Sequence, residues 1–260
     1  MSRTRQPLIL HVPHSSREIP REYRNRYLIG PDELEGEMDR LVDFDTEKLF
    51  RPAAGEDVQL VFPWSRLFMD VERFEKDADE PMAERGMGVL YSRTIDGRLL
   101  RPEFSPEERE ELLDAWYRPW HRRLEETAGD FLERYGAALI IDCHSFPDVP
   151  LACDMDQLAR RPDICLGTDD FHTPEVLLDF ARGFFEDAGF GVMVNRPYAG
   201  TMVPLSRYGK DARVSSLMVE VNRRLYGKGG GTAGKREAKI YGVLEGFLRE
   251  AGEVLHRAAG

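Results

Sequence analysis

The sequence predicts an α/β protein with a mixed, mostly parallel central sheet and helices on both faces. Short apolar runs alternate along the chain with longer segments in which apolar residues recur at helical spacing. The run at 137–142 is apolar on both faces, which is typical of a strand in the middle of such a sheet. No repeat and no linker rich in proline, glycine or serine divides the chain, so we expect a single domain over residues 1–260.

The strands are predicted from apolar runs of strand length that end at turn-forming or polar residues. The first run ends at Pro13 and the second at Pro63, and the later ones follow directly on predicted helices or loops. In chain order, the five predicted strands cover residues 8–12, 58–62, 137–142, 190–194 and 214–221.

The helices are predicted from apolar residues at intervals of three and four. The four segments with this spacing are 32–50, 105–136, 173–189 and 235–256. Ser105 and Pro106 provide an N-cap and a first helical residue, and Pro119 predicts a kink within the same helix. The charged, glycine-rich stretch at 64–102 shows no such spacing and is predicted to form long loops, which are often functional.

Composition limits the classes of function. Asp and Glu total 47 against 36 Lys and Arg, which gives a net charge of −11 and argues against general nucleic-acid binding. No apolar run is long enough to span a membrane. The 3 cysteines form no CxxC pair and are expected to be reduced, so we expect a soluble, cytoplasmic protein.

Two histidines follow predicted strands at the positions where ligands gather in sheets of this kind. His14 comes just after the strand at 8–12, and His144 just after the strand at 137–142. Imidazole is a common metal ligand, so two converging histidines would fill half of a zinc site. Each alone could equally be a polar loop residue, and because the chain has no HExxH motif the third ligand stays open.

Other charged residues are candidates for the reaction itself. Glu220 lies within an otherwise apolar run, where a carboxylate is costly unless it is paired or catalytic. Arg73, Arg196 and Arg223 stand in predicted loops or at strand ends, and arginine is suited to bidentate binding of a carboxylate. The alternative for each arginine is an ordinary surface position.

Several short segments together resemble the N-formylglutamate amidohydrolase family, in the order that the family has them, across about residues 8–226. They are HVPHSS at 11–16, Asp43 with Leu49 six residues later, MDVER at 69–73, DCHS at 142–145, NRPYAG at 195–200 and EVNRRLY at 220–226.

This resemblance implies a fold similar to the zinc-dependent exopeptidases and aspartoacylase-like enzymes. It implies hydrolysis of a small anionic N-acyl amino acid, with N-formyl-L-glutamate and water giving formate and L-glutamate as the type reaction. His14 and His144 would bind Zn²⁺, with Asp43 as the third ligand and Asp45 as its rival. Near this pair the chain is acidic, and a solvated acidic helix face is the alternative reading of both aspartates.

The resemblance also assigns roles around the metal. Glu220 would act as general base and then general acid, while Arg196 and Arg223, in preference to Arg73, would bind substrate carboxylates. The chain departs from the related pattern at two positions: Arg17 stands where the HxxE motif of the exopeptidases has its carboxylate, and Glu72 stands where the family more often has asparagine.

Two other functions remain open at this point. One is a zinc carboxypeptidase or amidase that acts on short peptides, which dipeptide substrates would separate from an N-formylglutamate hydrolase. The other is a non-catalytic relative that binds a metal or a small ligand without hydrolysing an acyl donor.

Overall fold

The computed structural model describes residues 5–157, 159–227 and 233–258 and contains one six-stranded sheet of order β2-β1-β3-β6-β4-β5. The strands are β1 (Leu8–Val12), β2 (Val58–Val61), β3 (Ala138–Phe146), β4 (Ile164–Gly167), β5 (Val192–Val194) and β6 (Val214–Asn222). Strands β2, β1, β3 and β6 are mutually parallel. Strand β4 runs antiparallel to β6, and β5 runs parallel to β4. The predicted mixed, mostly parallel sheet is confirmed.

Helices cover both faces of this sheet, as predicted. They are α1 (Pro31–Leu41), α2 (Thr46–Leu49), α3 (Pro106–Leu112), α4 (Arg118–Tyr135), α5 (Glu175–Asp187) and α6 (Ala233–Ala258). One apolar layer joins α1, α3 and α4 to the sheet, and the other joins α5 and α6 to it. Within the described ranges, none of the helices has the length and apolar character needed to cross a bilayer.

The alternation of side chains in the central strands determines which polar groups can meet. Ile140 of β3 and Val214 of β6 pack in the layer with α4, and every second residue after them points to the same face. That periodicity brings Asp142 and His144 of β3 and Glu220 of β6 to one face. All of these residues lie toward the carboxyl ends of parallel strands.

β3 is longer than predicted, and the placement of His144 beyond its end was wrong. The strand continues through Phe146, and His144 pairs in register with Glu220 of β6. Polar residues can extend a buried strand here because β6 pairs the backbone and neighbouring side chains bond the polar groups.

Three further differences have local causes. The helix predicted over 32–50 breaks between α1 and α2, where Asp45 adopts a left-handed backbone with φ 61°. The helix over 105–136 contains a π turn at Leu113–Tyr117, two residues before Pro119, which has no N–H to donate to the preceding turn. β4 was not predicted because its four residues are too few to give a periodic signal.

Candidate metal centre

Two histidines and a glutamate converge at the carboxyl end of the parallel strands. The ring centroids of His14 and His144 lie 5.2 Å apart, and both side chains are buried. Glu72, from the loops between β2 and α3, places Oε2 3.0 Å from His144 Nε2 and 3.7 Å from His14 Nδ1. These three residues form a group that could hold a metal ion. The structure thus brings the two predicted histidines together and adds Glu72 to them.

A buried aspartate fixes the proton of His14. Asp70 Oδ1 lies 2.8 Å from Nε2, and Asp70 also accepts hydrogen bonds from Tyr91 and Arg66. Burial opposes the charge of Asp70, but Arg66 and His14 hold the pKa of this carboxyl well below its usual range. Burial and Arg66 lower the pKa of His14, which favours the neutral ring. With the proton on Nε2, Nδ1 presents a lone pair, and this buried atom has no hydrogen-bond partner among the described residues.

His144 has a matching carboxylate behind it. Its Nδ1 lies 3.1 Å from Asp43 Oδ2, and Arg223 Nη2 donates to Asp43 Oδ1 at 2.9 Å. Burial would raise the pKa of Asp43, but the hydrogen bond with His144 and the charge of Arg223 lower it. The opposite ring atom, Nε2, lies 3.0 Å from Glu72 Oε2 and 3.1 Å from Asp142 Oδ1. A carboxylate on the far nitrogen of each histidine is the arrangement that orients metal-binding imidazoles.

Asp43 and Asp45, the two candidates for the third ligand, have different surroundings. Both oxygens of Asp43 are engaged, and Asp43 belongs to neither of the groups that could hold a metal among the described residues. Asp45 is 41% exposed and pairs with Lys48 at the surface. Glu72 Oε2 lies 3.7 Å from His14 Nδ1 and 3.0 Å from His144 Nε2, and Asp43 Oδ2 lies 3.8 Å from His14 Nδ1.

The buried charges around the histidines are incompletely compensated by the protein. Asp43 and Asp70 each have an arginine partner. Across the described part of the chain, Glu72 and Asp142 form ion pairs with histidines only. Burial opposes the charge of Glu72, but the neighbouring histidines hold its pKa well below the usual range. The buried Asp142 and the largely buried Glu72, which lack an arginine or lysine partner among the described residues, favour a bound cation.

His11 lies beneath Glu72 on the same face of the sheet. Its Nδ1 is 2.9 Å from Asp142 Oδ1 and 3.4 Å from Glu72 Oε1, and these residues form a second group that could hold a metal. Burial opposes a charged ring, but Asp142 and Glu72 raise the pKa of His11 to about 9. The indole N–H of Trp120 donates a hydrogen bond of 3.2 Å to Nε2 of His11.

Glu220 lies beside His144 with an unengaged oxygen. The side chain is buried, and Oε2 has no hydrogen-bond partner in the described structure. Burial raises the pKa of Glu220 to about 8, with Asp43 adding to the effect and His144 and Arg223 opposing it. A carboxyl group with a pKa near neutrality is suited to both accepting and donating a proton.

The predicted arginines occupy three different settings. Arg223 is buried and donates to Asp43, to the Arg40 carbonyl and to both the hydroxyl and the carbonyl of Ser145. Arg196 is 57% exposed and pairs with Asp156 at 2.7 Å. The Arg73 side chain is 21% exposed, and its one hydrogen bond to the described residues runs from Nε to the Met87 carbonyl, with Asp70 at 3.8 Å and Glu80 at 4.0 Å.

Sequence reasoning missed a fourth arginine and the carboxylates that support the histidines. Arg66 lies in the loops after β2, bonds Asp70, and approaches Asp43 Oδ1 to 4.0 Å. Asp70 and Glu72 stand within the MDVER segment, and His11 and Asp142 within the HVPHSS and DCHS segments. These residues therefore lie in the segments that carry the family resemblance, but nothing in the spacing of the segments indicated which side chains would converge.

Comparisons with known proteins agree on one family. A family model described as N-formylglutamate amidohydrolase matches residues 6–227. A Pseudomonas putida protein named N-formylglutamate deformylase is 26% identical over 233 residues, which is 85% of this chain and 82% of that protein.

Two solved structures share the fold. An N-formylglutamate amidohydrolase from Ralstonia eutropha JMP134 superposes with a TM-score of 0.78 at 23% identity, over 98% of this chain and 95% of that one. The gene product Atu2144 of Agrobacterium tumefaciens gives 0.63 at 17% identity, over 98% and 92%. Because the family model spans most of the sequence, including every segment of the site, this chain belongs to the N-formylglutamate amidohydrolase family.

Proposed function

We propose that this protein is a metal-dependent amidohydrolase that cleaves N-formyl-L-glutamate to formate and L-glutamate. The observation that carries the proposal is the convergence of His14, His144 and Glu72, with an engaged aspartate behind each histidine. Family membership and the name of the Pseudomonas putida relative support the choice of substrate.

The residues present fit a zinc ion. His14 Nδ1, His144 Nε2 and a Glu72 oxygen would hold it, and three nitrogen and oxygen ligands are the usual protein contribution to a catalytic zinc site. The unpartnered Nδ1 of His14 and the uncompensated charge of Glu72 both support this assignment. Asp43, the third ligand implied by the family resemblance, would instead orient His144. When bound, zinc activates water and polarises an acyl oxygen.

Glu220 would carry the proton through the reaction. Its free Oε2 would accept a proton from the attacking water and then deliver it to the nitrogen of the leaving amine. The oxygen needs no rearrangement to do so, because no other protein group described here bonds it. Burial keeps its pKa close to neutrality, so both transfers are accessible in one turnover.

The arginines would divide between substrate binding and support. Arg73 has unused donors and partial exposure, so it would bind a substrate carboxylate, and Arg196 would act at the exposed rim. Arg223 was expected to bind substrate, but its donors are committed to the protein, so we assign it to holding Asp43. Arg66 would add positive charge beside the centre.

Steady-state hydrolysis by zinc-loaded protein tests the proposal. N-formyl-L-glutamate should release formate and glutamate, while dipeptides should react far more slowly; the reverse preference would indicate a carboxypeptidase or amidase.

Glu220→Gln should lower kcat by at least about 100-fold, the usual contribution of general acid–base catalysis, without loss of zinc. Glu126→Gln, a matched change at an exposed position of α4, should be neutral. If the protein bound zinc but hydrolysed no acyl donor, the result would support the alternative of a non-catalytic protein that binds a metal or a small ligand.

A further inference from the structure

We infer that Tyr117 and His121 are positioning residues for the proposed metal site: they hold the backbone on both sides of Glu72 and so fix the direction of its side chain. This inference rests on the proposed function, because Glu72 is a ligand only if the centre binds a metal. A polar atom of each side chain bonds the loop that carries Glu72, so both residues act through that backbone.

Tyr117 and His121 donate hydrogen bonds to the carbonyl groups on either side of Glu72. Tyr117 Oη lies 2.8 Å from the Arg73 carbonyl oxygen, and His121 Nε2 lies 2.9 Å from the Val71 carbonyl oxygen. A carbonyl oxygen only accepts, so the side chain is the donor in both bonds. Among the described residues, each carbonyl has this one hydrogen-bond partner, so loss of either donor leaves a carbonyl unpaired by the protein.

The peptide group before Glu72 is held at both ends. Its carbonyl accepts from His121, and its N–H, which belongs to Glu72, donates to Asp70 Oδ1 at 3.0 Å. Asp70 Oδ1 also lies 2.8 Å from His14 Nε2, so the backbone of one proposed ligand and the ring of another share this anchor. Rotation of the peptide group would break both of its bonds, and the backbone at Glu72 therefore keeps one conformation.

The peptide group after Arg73 is held in the same way. Its carbonyl accepts from Tyr117, and its N–H, which belongs to Phe74, donates to Glu80 Oε2 at 3.0 Å. Glu72 and Arg73 therefore lie between two fixed peptide groups, although neither residue belongs to a helix or a strand. This short backbone unit presents both the proposed metal ligand and the proposed substrate-binding arginine, so the spacing between metal and substrate depends on the same bonds.

Both donors project from a rigid helix. Tyr117 is the last residue of the π turn and His121 lies four residues later in α4, so their side chains are neighbours on one face, with ring centroids 4.3 Å apart. Trp120 lies beside them, is 5% exposed and packs edge-on against Phe62 at 5.2 Å, which anchors this part of the helix in the apolar layer. A donor on a packed helix holds its partner more precisely than a donor on a loop does.

The π turn determines which side chains of the helix reach the loop. The extra residue in such a turn rotates the side chains that follow by about 100° relative to an unbroken α-helix. Without it, Tyr117 and His121 would point away from the loop. Arginines on both sides of the turn bond the same loop, because Arg109 of α3 donates to the Glu75 carbonyl and Arg118 Nη2 of α4 donates to Glu75 Oε1 at 2.7 Å.

Zinc titration of Tyr117→Phe tests the positioning role, because this variant keeps the buried ring and removes only the hydroxyl. We expect one zinc per chain in the wild type and about 10-fold weaker binding in the variant, the lower end of the loss that follows removal of a group supporting a metal ligand. The visible spectrum of the Co²⁺-loaded protein, which reports ligand geometry, should also change. Tyr208→Phe is the control, because it removes a tyrosine hydroxyl that bonds Asp169 at 2.7 Å away from the centre.

Kinetics at saturating zinc separate positioning from a loss of folded protein. Tyr117→Phe should raise KM for N-formyl-L-glutamate about 5-fold, the scale of one net hydrogen bond, because Arg73 shifts with the loop. The value of kcat should fall less, since His144 and Glu220 lie on β3 and β6. Partial unfolding alone would lower the concentration of active enzyme and leave KM unchanged, and that result would count against the inference.

Two substitutions of His121 keep the test independent of Tyr117. His121→Gln keeps an N–H near the position of Nε2, whereas His121→Leu removes it, so we expect near wild-type zinc affinity in the first and about 10-fold weaker binding in the second. Unchanged zinc affinity and Co²⁺ spectra in both Tyr117→Phe and His121→Leu would overturn the inference and leave the proposed function intact. No zinc binding in the wild type would overturn both.

Amide hydrogen exchange of the unmutated, metal-free protein provides a check that needs no variant. The amide hydrogens of Glu72 and Phe74 should exchange slowly, because each belongs to a peptide group held at both ends. Exchange at the rate of an unfolded chain at both positions would show that the helix does not fix the loop, and would overturn the inference.

Discussion

Asp43 Oδ2 lies 3.1 Å from Nδ1 of His144, while the opposite nitrogen of that ring faces Glu72 across 3.0 Å. The aspartate and the glutamate are thus on opposite sides of one imidazole. The geometry separates two roles that short segments of sequence do not distinguish: a carboxylate that would contact the metal and a carboxylate that orients the histidine.

Removing the Asp43 carboxylate should weaken metal binding without abolishing it. Loss of a group that supports a metal-binding histidine typically costs 10- to 100-fold in affinity, so we expect Asp43→Ala to lower zinc affinity by about that range. Competition with a chromophoric chelator measures the change. Asp45→Ala, at an exposed position paired with Lys48, should match the wild type. If Asp43→Ala abolished binding while Glu72→Ala retained it, Asp43 would be the ligand.

Arg223 should matter for stability more than for substrate affinity. Arg223→Met removes four hydrogen bonds and leaves Asp43 buried without its arginine, which we expect to lower the free energy of unfolding by about 3 kcal/mol. Urea denaturation measures this loss. Arg196→Met, at a 57% exposed position, should change it by less than about 0.5 kcal/mol. An Arg223 variant of normal stability but strongly raised KM would restore the expected substrate-binding role.

Arg73 should determine affinity for the acidic substrate. Arg73→Ala removes a partly exposed guanidinium with unused donors, and loss of a hydrogen bond to a charged group costs about 1.5–3 kcal/mol. We therefore expect kcat/KM for N-formyl-L-glutamate to fall by about 10- to 150-fold. Arg182→Ala on α5, which removes a guanidinium paired with Asp179, is the control. Equal kinetics in the two variants would remove Arg73 from the substrate site.

Stability of the metal-free protein should fall in mild acid because of His121. Burial lowers the pKa of His121 to about 4 from a usual value of 6.5, and its Nε2 bonds the Val71 carbonyl. Between those two values the unfolded chain binds more protons, so stability rises with pH through this window and is lost as pH falls. His121→Gln keeps a donor near Nε2 and cannot titrate. Between pH 7 and pH 4, the free energy of unfolding should therefore fall by about 2 kcal/mol less in the variant than in the wild type. Identical pH profiles for the variant and the wild type would refute this source of acid sensitivity.

The sheet and much of the helical framework could be predicted because they depend on local periodicity. Residues 8–12 and 137–142 are mostly apolar runs of strand length, and the rule that ligands gather at carboxyl ends singled out His14 and His144. Strand β4 was not predicted because its four residues are too few to show a periodic pattern. Strand β3 was predicted too short because residues near its end are polar.

The proposed role of Glu72 could not be predicted from the sequence, since it depends on loops that show no periodicity. In the sequence Glu72 stood out only as a departure from the family pattern. Its approach to His144 results from the path of the chain between β2 and α3, where contacts such as the backbone bond from Asp70 to Val89 set the geometry. The setting of Arg223 depends on the fold for a related reason: residue type indicates carboxylate binding, but only the fold shows that Arg223 donates to Asp43.

A zinc-edge anomalous difference map from a crystal of the zinc-loaded protein tests the central claim most directly. We predict one peak per chain, about 2.0–2.2 Å from His14 Nδ1, from His144 Nε2 and from a carboxylate oxygen of Glu72. Asp43 would remain on the far side of the His144 ring. A peak coordinated by Asp43 in place of Glu72, or no peak at the two histidines, would contradict the proposed centre.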